Sequence, residues 1–370
     1  MVAFKPFLTE KMFITIKMHG VLSGEKVIVS ESEADSFEFR IYGRKKREGV
    51  KGEREYKLKL SLEEAAFLLE AGKIVIKKDK ESELTLEDFF KHALDIYPNF
   101  GARYIVYKDL KERGYVVQPG RVDFLLYPRG AKPGAKPARH FIRILSEREF
   151  LSVKDLEDLI VLARNMRKEP IIAVVDDESD ITYYEVKEAK FDVIEKREVQ
   201  EGAKREGCKR GKAFLLGDKV ILLDADLSVN LHKNDFFGNL TKEKRLLLSL
   251  VEAAYLIKDG LLELSFEQFV EHAATIESDF IAKYAVYEDL REKGLILKTG
   301  FKFGSHFRVY KATDQKHSRD LIHVLPEEHV FSMPELARAI RLAHGVKKRM
   351  IFSFKEGEEI RYIDVGRMKP

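Results

Sequence analysis

Apolar and polar positions follow two rhythms along this chain, and the whole sequence of rhythms occurs twice. In LSLEEAAFLLEAG (60–72) Ala65, Leu68 and Leu69 recur at helical spacing, and in LSLVEAAYLIKDG (248–260) Ala253, Leu256 and Ile257 do the same. Ser61 and Ser249 precede these runs, with Glu64 and Glu252 three residues later, which marks a capped helix start. Gly72 and Gly260 suit the position just past a helix end. The segment 284–294 predicts a further helix with Tyr284, Tyr287, Leu290 and Arg291 on one face, closed by Gly294. The period then drops to two, and GLILKTG, HFRVYKA and DLIHVL predict short strands. A last helix is expected over 334–348, with Pro334 near its first position. MIFSFKEG and EIRYIDV predict a hairpin. Earlier in the chain the same order holds: GYVVQPG, DFLLYPRG and HFIRIL as strands, VKDLEDLIVLARNMRK as helix, EPIIAVVDDESDITYYEV as hairpin.

The recurrence is an internal repeat. The first pair of runs is offset by 188 residues; YIVYKDLKERG at 104–114 matches YAVYEDLREKG at 284–294 with an offset of 180, as LTLEDFFKHA at 84–93 matches LSFEQFVEHA at 264–273. Three matches in one order predict two copies of a unit of domain size. The fold class expected is mixed α/β, as two tandem repeats. The first spans 1–195, with subdomains at about 1–95 and 96–195. The second spans 213–370, with subdomains at about 213–279 and 280–370. The polar, glycine-containing KREVQEGAKREGCKRGK (196–212) is the expected linker. The last strands of the two copies, around Tyr183–Val186 and Arg361–Val365, are expected to pair side by side.

Composition changes this picture little. Hydrophobic residues make up 45% and charged residues 35%, an ordinary composition for a folded chain. Lysine and arginine (66) barely exceed aspartate and glutamate (62), so the net charge of +4 does not itself call for nucleic acid. The single cysteine, Cys208, excludes an intrachain disulfide and a cysteine-built zinc site. The stretch Leu246–Ile257 is too short and too polar to span a bilayer, and MVAFKPFLTEKMF lacks a signal-like apolar region. A cytoplasmic protein without a membrane partner is expected.

Three positions in the second copy suit metal-free cleavage of RNA. Tyr310 ends a strand, His317 lies in the next loop, and Lys348 ends the last helix. Such cleavage needs a base for the 2′-hydroxyl, an acid for the leaving 5′-oxygen, and a cation for the charged phosphorane. Histidine suits the acid and lysine the cation. Tyrosine serves as base only if nearby cations lower its pKa; Lys302, Arg308, Lys311, Lys347 and Arg349 are the candidates. Each residue alone also has an ordinary structural reading, and these considerations do not choose His317 over His306, His323 or His329.

The strings GFKFGSHFRVY, HS and RLAHGVKK, with the preceding YAVYEDLREKGLILKTG, resemble the C-terminal catalytic domain of tRNA-intron endonucleases, in the archaeal two-repeat form. The resemblance covers nearly the whole chain. It implies a small N-terminal α/β subdomain and a restriction-endonuclease-like catalytic-type subdomain in each repeat. It implies Tyr310 as general base, His317 as general acid and Lys348 as transition-state stabiliser, with no metal and no cofactor. Arg341 and Arg367 are implied as a pair that sandwiches a flipped-out base of the RNA, with Arg361 a competitor for the second place. The implied substrate is precursor tRNA, cut at bulge–helix–bulge junctions by a homodimer, leaving 2′,3′-cyclic phosphate and 5′-hydroxyl ends.

The first copy differs at the acid. Lys168 matches Lys348 and Tyr127 matches Tyr310, but His317 falls on Pro137 or Gly134, depending on the offset used. His140 is near, though pairing HFIRIL with DLIHVL sets it against Asp320. The hairpin tip VVDDESD carries Asp176, Asp177, Glu178 and Asp180, an ordinary solvated turn by itself. The resemblance implies that it docks in a basic cleft of the partner chain's catalytic unit. Two rival functions stand beside this: a non-catalytic RNA-binding relative, and a metal-dependent nuclease that would need paired carboxylates near Lys348. Glu356, Glu358 and Glu359 are not far in sequence, but form no such arrangement.

Overall fold

The computed structural model describes residues 17–30, 44–48, 55–78, 82–130, 136–191, 210–312 and 317–370. Gly134, Cys208 and residues 196–209 of the expected linker lie outside the described residues. The chain divides into two compact units, Met1–Ser146 with Ala173–Ile181 and Pro370, and Glu147–Ile172 with Thr182–Lys369.

In the first unit come β1 (Met18–Ser23), β2 (Lys26–Val29), β3 (Arg44–Glu48), β4 (Glu55–Ser61), α1 (Leu62–Glu70) and β5 (Ile74–Lys77). The five strands form a sheet of order β3-β4-β2-β1-β5. Helices α2 (Leu86–Ile96) and α3 (Phe100–Glu112) follow, then β6 (Val116–Pro119), β7 (Phe124–Tyr127) and β8 (His140–Ser146), which pair antiparallel in that order. The chain continues through β9 (Phe150–Ser152), α4 (Val153–Met166), β10 (Glu169–Val175) and β11 (Ile181–Glu188). Of these, β9, α4 and nearly all of β11 belong to the second unit.

The second unit continues with β12 (Ala213–Leu216), β13 (Lys219–Leu222), α5 (Ala225–Asp235), β14 (Asn239–Leu240), β15 (Leu246–Ser249), α6 (Leu250–Lys258), α7 (Phe266–Ile276) and α8 (Phe280–Glu292). Then follow β16 (Ile296–Thr299), β17 (Phe307–Tyr310), β18 (Asp320–Val324), β19 (Val330–Ser332), α9 (Met333–Gly345), β20 (Arg349–Glu356) and β21 (Glu359–Met368). Strands β12-β13-β15-β14 make a small sheet. A larger one runs β16-β17-β18-β20-β21-β11, antiparallel except where β18 meets β20. The mixed α/β class and the repeated order of elements match the expectation.

Local sequence explains the elements that hold the larger sheet. The run Met350–Phe354 is buried throughout, as a central strand covered on both faces requires. Helix α8 packs Phe280, Tyr284, Val286, Tyr287 and Leu290 into one core with Leu297, Phe307, Val309, Ile322 and Ile351. Helices α1 and α6 start with the expected capping boxes: Glu64 and Glu252 accept from the backbone of Ser61 (2.9 Å) and Ser249 (3.0 Å). Gly72 and Gly260 take positive φ (66° and 73°) just past the helix ends, as expected.

Strand β11 pairs with β21 from Tyr183↔Met368 to Glu188↔Ile363, so the last strands of the two copies do lie side by side. The helix expected over 334–348 is shorter. It ends at Gly345; Lys347 has φ 55°, and the N–H groups of Lys347 and Lys348 donate to His344 (3.0 Å) and Ala343 (2.9 Å). This two-bond closure turns the chain at once into β20. Helix α4 ends alike, with Arg167 at φ 52° and Lys168 donating to Ala163 (3.1 Å). Among the described residues no helix is long and apolar enough to cross a membrane.

Candidate active site

Strand register brings two of the three singled-out residues into a row, and the third lies in the loop that leads into it. Tyr310 is the last residue of β17, opposite Ile296. Val309 pairs with Asp320, so Tyr310 is level with Arg319, just before β18. Asp320 pairs with Arg349 across the parallel step, so Lys348 is level with Arg319 too. With strands about 4.8 Å apart, the backbones of Tyr310 and Lys348 are roughly 10 Å apart across that row. His317 is exposed, two residues before Arg319 in the incoming loop.

The Lys348 ammonium donates to the carbonyl and to the hydroxyl (2.9 Å) of Ser318, the residue next to His317. Lysine and histidine loop are thereby tied together. Burial holds the lysine's pKa below its ordinary value, and the positive charge of Arg308 adds to this while Asp320 opposes it. Arg308 donates to the Thr299 carbonyl (2.7 Å), and its guanidinium lies 5.8 Å from the Tyr310 ring and 5.7 Å from that of Phe303. Tyr310 is buried and meets Phe236 edge-on at 6.1 Å. Arg308 is thus the cation in ring contact with the tyrosine. Arg349 is committed to Asp320 (2.6 Å) and Asp364 (3.1 Å), and Lys302, Lys311 and Lys347 are exposed.

The other histidines have different duties. His306 accepts from the Val324 N–H (2.8 Å) and lies 4.7 Å from His323; His329 is 3.2 Å from Glu335. Burial pushes His306 down to about 4 and lowers His323. Burial thus disfavours the imidazolium form, the form suited to a general acid, at both. The ring of His323 bonds the Gly304 backbone.

A second cationic place lies on α9 and β21. Arg341 and Arg367 are both exposed, and both charges bear on Tyr184, which pairs directly with Arg367. Burial raises the Tyr184 pKa, and the two arginines oppose that rise. Arg361 is bound instead by Glu356 (2.8 Å), Glu359 (3.1 Å) and Glu157 (3.7 Å).

The first copy has the same frame with other side chains. Leu126 pairs with His140 where Val309 pairs with Asp320. His140 therefore takes the place of Asp320, Pro137 that of His317, Ala138 that of Ser318, and Leu125 that of Arg308. Tyr127 donates to Gln118 (3.0 Å). Lys168 closes its helix as Lys348 does, and the position that matches Ser318 is Ala138, which has no hydroxyl. At the hairpin tip the Asp176 carboxylate accepts from the N–H groups of Glu178 (3.0 Å) and Asp180 (2.8 Å), so this acid builds the turn. Asp177, Glu178 and Asp180 are exposed. Among the described residues no group of three or more His, Cys, Asp or Glu is placed to hold a metal ion.

Ser318 and Tyr184 were not picked out by sequence reasoning. The one available signal for Ser318 was its place after His317, matched by an alanine in the first copy.

Two family models each match the chain twice. The tRNA intron endonuclease catalytic C-terminal domain matches residues 100–183 and 280–362, and the N-terminal domain of that family matches 18–90 and 211–271. Among relatives, a protein of Methanosarcina mazei is 42% identical over 361 residues, covering 94% of this chain and 98% of its own length. One of Methanococcoides burtonii is 40% identical over 95% of this chain and 100% of its own. One of Haloarcula marismortui is 35% identical over 72% and 79%. All three are named tRNA-splicing endonuclease.

Proposed function

The chain belongs to the tRNA intron endonuclease family, and from that membership we propose how it acts as an RNA-cleaving enzyme of tRNA splicing. The substrate is precursor tRNA, cut at intron–exon junctions presented as a bulge–helix–bulge. Shape carries the recognition, because A-form grooves hide sequence. The working site is that of the second repeat, and the observation that carries this reading is Lys348 held by Ser318 beside His317, level with Tyr310.

Tyr310 takes the proton of the 2′-hydroxyl as that oxygen attacks the adjacent phosphorus. The positive charge of Lys348 stabilises the phosphorane. His317 gives a proton to the departing 5′-oxygen. One strand then ends in a 2′,3′-cyclic phosphate and the other in a 5′-hydroxyl. Arg308 lies 5.8 Å from the tyrosine ring and places a fixed positive charge beside it. Arg341 and Arg367 clasp an unstacked base, Arg361 being occupied by three carboxylates.

The first repeat (1–195) is non-catalytic in this reading, with Pro137 and Ala138 where the second (213–370) has His317 and Ser318. Its tip, Asp176, Asp177, Glu178 and Asp180, docks on the catalytic unit of a second chain. A homodimer with two active sites follows, working in the cytoplasm.

The test is to incubate the purified protein with a bulge–helix–bulge RNA in excess EDTA and to identify the new ends. Cyclic phosphate at an undiminished rate is expected. Cleavage lost in EDTA would overturn the metal-free chemistry, and no cleavage under any condition would make the chain a non-catalytic relative.

A further inference from the structure

The turn between β16 and β17 is closed by backbone hydrogen bonds, and it displays an aromatic ring to solvent. Residues Phe301–Phe303 form a single 3-10 turn between Gly300 and Gly304. The Phe303 N–H donates to Gly300 (2.7 Å), Gly300 donates to His306 (2.9 Å), and Gly304 donates to Phe301 (3.1 Å). A Cβ at Gly300 would lie 2.2 Å from the Ser305 hydroxyl and 2.8 Å from its carbonyl, so glycine alone fits the fold-back there. Gly304 stands at φ 64°, in the left-handed region that glycine adopts freely.

On this frame Phe301 is 86% exposed, the most exposed large apolar side chain among the described residues. Two residues on, Phe303 turns the other way, with Lys348 5.5 Å and Arg308 5.7 Å from its ring. Lys302 stands between them, also exposed. One short turn thus touches the proposed transition-state lysine with one ring and offers another ring to solvent. Nothing within the described chain repays that exposure. A partner that suits a flat apolar face among lysines and arginines carries negative charge and has flat faces of its own.

We propose that Phe301 is a stacking platform for an unpaired base of the RNA next to the cleaved phosphate. This rests on the function proposed above and adds a substrate contact to it. Unpaired bases present a π-face whatever their identity, and aromatic stacking on them is sequence-tolerant. The backbone that carries the ring needs no ordering on binding, because the turn already holds it. Phe301 binds; it takes no part in proton transfer. Its loss therefore weakens the substrate complex and the transition state alike, and falls on KM rather than kcat.

The experiment compares wild type, Phe301→Ala, Phe301→Leu and Phe301→Trp on one bulge–helix–bulge RNA. It measures RNA affinity, kcat and KM, melting temperature and sedimentation mass. Phe301→Ala should weaken RNA binding by roughly 5- to 150-fold (about 1–3 kcal/mol), at an unchanged melting temperature and mass. Phe301→Trp should bind as wild type, and Phe301→Leu should fall between. Scanning an abasic nucleotide through each bulge should find one position at which wild type and Phe301→Ala become equal. If wild type cleaves but Phe301→Ala binds equally well, the stacking role is wrong while the function stands. Equality of Phe301→Leu with wild type overturns stacking in favour of mere apolar cover. A changed mass for Phe301→Ala assigns the ring to a protein contact and overturns the proposal too. Failure of wild type to bind or cleave any such RNA brings down the function itself.

Discussion

The role proposed for Lys348 requires its ammonium to point where charge develops, and a lysine side chain has many rotamers in which it does not. Ser318 restricts that freedom: its carbonyl and hydroxyl both accept from Nζ, and its neighbour is the proposed acid. A hydrogen bond to a charged group contributes on the order of 1.5–3 kcal/mol, and the carbonyl half survives in an alanine variant. Ser318→Ala should therefore lower kcat roughly tenfold, about 1.4 kcal/mol, with KM within a factor of about two. Single-turnover kinetics at saturating RNA would show it, and an unchanged rate constant would remove the hydroxyl from this role. The alanine is already present at the matching place of the first copy, Ala138. Periodicity does not mark this serine, since a loop residue has no period; its place after His317 does not tell what it binds. Register reveals it, because β18 and β20 run parallel and bring residues 318 and 348 to the same end.

Among the elements, the capped helices and short strands were legible because local chemistry decides them. Ser61 and Ser249 with their glutamates close capping boxes in the first turn, and the alternation in HFRVYKA became β17. The end of α9 falls short of the expected 348. Gly345 disfavours a further helical turn and marks the stop, although the helical pattern can be run past it. The helix stops at Gly345 because Lys348 must lead into β20, and Lys347 bears the left-handed conformation that permits it. A lysine in that conformation is strained by roughly 1–2 kcal/mol, and Lys347 is exposed. Lys347→Gly should stabilise the protein by about 0.5–1 kcal/mol after the greater chain entropy of glycine is subtracted. Thermal unfolding should show a rise of about 1–4 °C, with RNA cleavage retained. A fall in melting temperature would mean that the Lys347 side chain contributes contacts that outweigh the strain. The corresponding Arg167, at φ 52°, tests the same idea in the first copy.

At the scale of the molecule, duplication has left two frames with unequal side chains. The repeat itself was plain in the sequence, because three matched strings kept their order. The compact units were not, because contacts follow strand pairing: β11 of the first copy joins β21 of the second and is counted with it. The acidic tip shows how one frame can take a separate duty. Asp176 is spent on the turn, accepting two backbone N–H groups, while Asp177, Glu178 and Asp180 face outward. If those three dock on a second chain, neutralising them should weaken association while the turn stays built. The triple variant Asp177→Asn, Glu178→Gln, Asp180→Asn should raise the dimer dissociation constant about 10- to 100-fold, as losing several charge pairs at an interface does. Sedimentation at low micromolar protein should show the average mass fall from two chains toward one. Added salt should move the wild type in the same direction, since it screens the same charges. Specific cleavage activity should fall on dilution sooner in the variant, and an excess of protein should restore it. Asp176→Ala should do more damage, because the backbone groups it satisfies lose their partner and the tip loses its shape. A triple variant of unchanged mass at every concentration would leave the tip a solvated turn, and the dimer would have to form elsewhere.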